Sequence, residues 1–84
     1  MKTQQAIRKA LGAWPGFPDL VVIAEGRLML MEVKSATGRL SEAQEAFRDL
    51  MLGQGVPWAL VRSVDDALGA LRDHGFKLNI RGGA

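Results

Sequence analysis

Two runs rich in Val, Leu, Ile and Met, Asp19 to Ala24 and Arg27 to Ser35, flank the pair Glu25-Gly26. A two-residue gap with glycine second reads as a tight antiparallel hairpin, because such turns need positive φ, which glycine adopts without penalty. The register follows from the turn alone. Facing residues in a hairpin have a constant numerical sum, so pairing Ala24 with Arg27 places Asp19 opposite Glu32. Facing side chains leave the same side of the sheet with Cβ atoms about 4.5–5.5 Å apart, and Lys34, two residues beyond Glu32, shares that side. Val21, Ile23, Leu28 and Leu30 complete this face, while Leu20, Val22, Met29, Met31 and Val33 form the other. Both faces are expected to be largely buried. A turn longer or shorter by one residue would put Asp19 and Glu32 on opposite faces.

Two carboxylates facing each other in an apolar sheet repel and lose hydration, at a cost on the order of kcal/mol unless a cation or a proton intervenes. The Lys34 ammonium alone leaves the cluster net negative. Such a site suits a hard divalent cation with oxygen ligands, Mg²⁺ or Mn²⁺. The plainer alternative is a Lys34 salt bridge at the end of a sheet.

The rest of the chain supplies a frame for this hairpin. Ile7, Ala10, Leu11 and Trp14 recur at helical spacing and predict a first helix from about Thr3 to Ala13, ending before Pro15. Trp14-Pro15-Gly16-Phe17-Pro18 is a stiff connector. After the hairpin, Ser41 and Gln44 fit a capping box ahead of the stripe Ala43, Ala46, Phe47, Leu50 and Met51, in a helix ending near Gly53 or Gly55. Val56 to Arg62 reads as a buried strand. Ser63 can cap a last helix with the stripe Val64, Ala67, Leu68 and Leu71, stopped by Gly75, and Phe76, Leu78 and Ile80 predict a short edge strand. The fold class is α/β. A mixed sheet combines the antiparallel hairpin with a parallel strand reached through a right-handed crossover helix, and helices flank it.

At 84 residues the chain is read as one domain, 1–84, with a modest core and a frayed tail over 81–84. Its 48% hydrophobic and 24% charged residues argue against general disorder. A net charge of +2 and a pI near 9.5 are compatible with nucleic acid without pointing to it. The absence of cysteine excludes disulfides and thiolate metal sites. Neither a signal peptide nor an apolar run long enough to span a bilayer is expected, so no membrane association is foreseen and the cytoplasm is the default location.

Several residues near the hairpin end carry two readings. The free N–H groups at the helix start by Ser41 can bind phosphate, Gly38 lets backbone approach a ligand, and Arg39 can contact a phosphate oxygen. Arg39 is equally readable as a solvated turn residue. Gln44 is either the reciprocal half of the capping box or a group above the metal site. Trp14 and Trp58 read as core or interface residues before base-stacking platforms, and His74 as a group favoured at a helix C-terminus.

Gly16-Phe17-Pro18-Asp19-Leu20-Val21-Val22, then Gly26-Arg27, Glu32-Val33-Lys34, Gly38-Arg39-Leu40-Ser41 and Gln44 together resemble the VRR-Nuc branch of the PD-(D/E)XK nuclease superfamily. The resemblance runs from about Gly16 to Leu71, and Val61-Arg62-Ser63 before an acidic helix start agrees with it. It implies a minimal restriction-endonuclease-like core in which Asp19 and Glu32 are metal ligands and the Val33 carbonyl is a third. Lys34 would position or activate the attacking water, with Gln44 near that site. It implies a Mg²⁺- or Mn²⁺-dependent endodeoxyribonuclease. Stand-alone members of this branch, often from phages, look like homodimers that cut branched DNA such as Holliday junctions, which would place the protein in a bacterial or phage-infected cytoplasm.

The chain departs from the family pattern in two places. The family's leading helix usually carries a glutamate near the metal, whereas Met1 to Pro18 contains no acid and offers Gln4 or Gln5 there. The strand and loop that usually separate the first helix from the Pro-Asp motif are reduced to Trp14–Phe17. The first departure favours one metal over two and motivates a rival reading, a non-catalytic DNA-binding or assembly module on the same fold. The second, with apolar residues on both hairpin faces, motivates a homodimer. A purely structural protein with a charged sheet end is the third reading.

Overall fold

A computed structural model describes residues 14–78. The expected helix over 3–13 and the tail over 81–84 lie outside that range. Within it the chain forms β1 (Leu20–Ala24), β2 (Arg27–Val33), α1 (Glu42–Gly53), β3 (Trp58–Val61) and α2 (Val64–Asp73). The strands make one mixed sheet in the order β1-β2-β3, with β1 antiparallel and β3 parallel to the central β2. This is the α/β arrangement read from the sequence, with α1 as the crossover between the parallel strands.

The hairpin turn has positive φ at both central residues, 52° at Glu25 and 77° at Gly26. That combination matches the right-handed twist of the flanking strands and fixes the pairing. Leu20 faces Met31 and Ala24 faces Arg27, the register the sequence predicts. The α1 cap is the expected box: the Gln44 amide donates to Ser41 Oγ and the Ser41 amide donates to Gln44 Oε1. Ser63 caps α2 by accepting from the Asp66 amide, and Gly55 and Gly75 follow the two helix ends with φ near 80°. His74 closes α2, with its ring Nδ1 2.8 Å from the Ala70 carbonyl.

Period-two alternation splits the sheet between two apolar clusters. Met29 and Met31 lie fully buried on one face with Val61 and Phe76, against Ala67, Ala70 and Leu71 of α2. On the other face Leu30 is buried, and Phe47 of α1 packs edge-on against Trp14 and Phe17 at ring separations of 5.0 and 5.4 Å.

Three expectations change. Among the described residues the hairpin faces are not both buried: Val21, Ile23, Leu28, Leu20 and Val33 are exposed, because both described helices pack over β3 and neither covers β1. In the helix stripes Phe47 is the one buried residue of α1, while Leu50 lies open and Val64, at the first turn of α2, is 74% exposed. Phe76 to Leu78 form no strand; Phe76 instead folds back as a core plug, and Ile80 lies outside the described residues. Among the described residues no helix is long and apolar enough to cross a membrane.

Candidate functional site

The hairpin register brings the acidic pair together at the open end of the sheet. Asp19 immediately precedes β1, Glu32 is the penultimate residue of β2 and Lys34 immediately follows it. The Val33 amide donates to Asp19 Oδ2 at 2.9 Å, so a strand-edge N–H left without a β1 partner is taken up by the carboxylate. Asp19 is exposed, whereas Glu32 is only 2% exposed and its Oε1 is buried without a hydrogen-bond donor among the described residues.

The two carboxyls respond to this asymmetry in opposite directions. Burial, then the hydrogen bond and negative charge of Asp19, push the Glu32 carboxyl up from 4.5 to about 7, with Lys34 pulling the other way. Asp19 is held below the usual carboxylate range, first by its hydrogen bond with Glu32 and then by the Val33 amide. Near neutrality the Glu32 carboxyl is therefore only partly ionised while Asp19 is ionised. A buried oxygen without a donor beside a second carboxylate is the donor set a hard divalent cation selects, so the residues present fit Mg²⁺ or Mn²⁺.

Lys34 is half-buried and forms no ion pair with either carboxylate among the described residues, where Arg48–Asp49 is the one side-chain salt bridge. The plain salt-bridge alternative is therefore not what forms. Its backbone N–H donates to the Val61 carbonyl at 3.1 Å, which anchors the strand end while its charge biases both carboxyls. Val33 directs its N–H toward Asp19; a strand residue's N–H and C=O leave the same edge, so its carbonyl also lies on the Asp19 side. Among the described residues no third Asp, Glu, His or Cys side chain joins the pair.

The turn leading from Lys34 to α1 is compact. The Gly38 amide donates to the Ser35 carbonyl and hydroxyl at 3.2 and 3.0 Å, and a Cβ on Gly38 would sit 3.4 Å from the Lys34 Cβ. Arg39 is exposed. Ser41 and the Gln44 carbonyl oxygen are engaged with each other in the cap, so of the residues at this helix start Arg39 has its side chain open to solvent.

Two contributors were not visible as such in the sequence. Gly16, at φ 80°, passes so close to α1 that a Cβ there would lie 2.2 Å from the Ala43 carbonyl oxygen. Its place in a Pro-Gly connector signals a turn but not that contact. Arg62, noted above only as part of a motif, donates from Nη1 to the carbonyls of Ser35 and of Gly38, the latter at 2.9 Å. No local pattern could have announced a contact 27 residues away.

A mixed α/β sheet whose hairpin end carries an opposed Asp and Glu with an adjacent Lys is compatible with a minimal nuclease core. A model of the VRR-NUC domain matches residues 3–65, well over half of the chain, and the protein belongs to that family of nucleases. No curated protein and no solved structure matches it.

Proposed function

We propose that the protein is a Mg²⁺- or Mn²⁺-dependent endodeoxyribonuclease that hydrolyses phosphodiester bonds in branched DNA, Holliday junctions among them, and acts as a homodimer. The observation that carries this reading is the buried Oε1 of Glu32, which has no hydrogen-bond donor among the described residues, beside Asp19 at the end of the hairpin. Asp19, Glu32 and the Val33 carbonyl would hold the cation, and Lys34 would orient the attacking water. A divalent cation bound there supplies Lewis-acid stabilisation of charge on the scissile phosphate and acidifies water. Lys34 adds a positive charge for the developing negative charge. Arg39 would be the phosphate contact, with the Ser41 helix start behind it; Gly38 would serve by keeping the turn compact, since its N–H is already held by Ser35 and its carbonyl by Arg62. The exposed apolar residues Leu20, Ile23 and Val33 support the homodimer, because a second copy would remove them from water.

The second reading, a DNA-binding module without catalysis, is favoured by the finding that only two acidic side chains meet among the described residues. Labelled four-way junctions, flaps and duplexes incubated with Mg²⁺ or Mn²⁺ separate the two, with the mass in solution measured alongside. Cleavage that prefers junctions and falls by about 10²-fold or more in Asp19→Ala and in Lys34→Ala, from a particle of twice the chain mass, is the expected result. Salt-sensitive DNA binding without cleavage would establish the module instead, and a monomeric mass at micromolar concentration would remove the dimer.

A further inference from the structure

We propose that Arg62 is a positioning residue for the nuclease site, acting on Lys34 through the turn that follows it; this rests on the reading of Lys34 given above. Arg62 directly follows β3, and its Nη1 donates to both the Ser35 and the Gly38 carbonyls, so one guanidinium nitrogen ties the two ends of the Ser35–Gly38 turn together. Hydrogen bonds from a charged donor are the stronger kind, and a planar guanidinium holds its geometry at lower entropic cost than an ammonium.

The same corner is fixed from two other directions. The Arg62 amide donates to Asp66 Oδ2 at 3.0 Å, and Asp66 is itself held by the Ser63 cap of α2. The Lys34 amide donates to the Val61 carbonyl at 3.1 Å. Lys34 is thereby bounded on one side by the end of β3 and on the other by a turn whose Gly38 packs toward its Cβ. Release of the turn frees the Lys34 side chain relative to Asp19 and Glu32 while leaving Glu32 on β2 and Asp19 held by the Val33 amide. Displacements of about 1 Å in a positioning element can cost ~10²-fold in rate.

Three variants test this: Arg62→Ala, Arg62→Lys and Arg62→Ala in a Lys34→Ala background. Amide exchange of Arg62→Ala should speed up at Gly38 by about tenfold or more and stay unchanged in β1 and β2. Cleavage by Arg62→Ala should fall ~10²-fold in kcat with Mn²⁺ affinity retained, and Arg62→Lys should recover part of the loss. In the Lys34→Ala background Arg62→Ala should add almost nothing, since a residue acting through Lys34 has nothing left to position. Unchanged exchange at Gly38, exchange raised throughout the sheet, or full additivity with Lys34→Ala would each overturn the proposal. If wild type cleaves no DNA, the nuclease reading fails and the exchange measurement alone decides whether Arg62 holds the turn.

Discussion

Glu32 is the residue on which the site turns, because burial and a neighbouring carboxylate act on it in the same direction. In the metal-free protein its folded value near 7 exceeds its ordinary 4.5, so the native state keeps a proton that the unfolded chain releases. Stability from this group is fully present below about pH 4.5 and is lost as pH rises through 7, with a total on the order of 3 kcal/mol. Asp19, shifted downward, has the opposite sign, and its loss falls below its ordinary 3.8, outside that window. Glu32→Gln keeps the shape and removes the ionisation. In EDTA, urea midpoints of this variant should match wild type near pH 5 and exceed it at pH 8. A wild-type midpoint that does not fall between those pH values would show that Glu32 carries no such strain.

At the scale of elements, the connector before β1 is held as tightly as the hairpin. Gly16 combines a left-handed backbone with contact against the first turn of α1, so Gly16→Ala meets both a conformational penalty and a backbone clash. Gly26 shares the positive φ but has open space around it. Urea unfolding should therefore show a loss on the order of 2–3 kcal/mol or more for Gly16→Ala and about 1 kcal/mol for Gly26→Ala. Equal losses would mean that the connector can move away from α1 freely. Because Asp19 is three residues from Gly16, metal affinity should fall in Gly16→Ala and not in Gly26→Ala.

The hairpin was legible in the sequence because everything that sets its register is local: a two-residue turn, a period of two, and two charges at matching distances from the turn. The caps at Ser41 and Ser63 were legible for the same reason. Burial of β1 was not, since apolar residues on both faces are compatible with a central or an outer strand, and only the packing of both helices over β3 decides between them. The partners of Arg62 and Gly16 were hidden because each contact joins segments distant in sequence.

At the scale of the molecule, the sheet end gathers a carboxyl pair, a lysine and a helix start, while among the described residues β1 and the outer faces of both helices present apolar side chains to solvent. Membership of the VRR-NUC domain family makes DNA the substrate, and the metal is the component on which the proposed chemistry depends. Calorimetric titration of Mn²⁺ into wild type and Glu32→Gln at pH 8 addresses it without any assumption about the DNA. One binding event per chain in wild type, accompanied by release of protons that increases as pH is lowered toward 7, and no binding in Glu32→Gln is the predicted result. Absence of binding to wild type, or an isotherm unchanged by the substitution, would contradict the assignment of Asp19 and Glu32 as a metal centre.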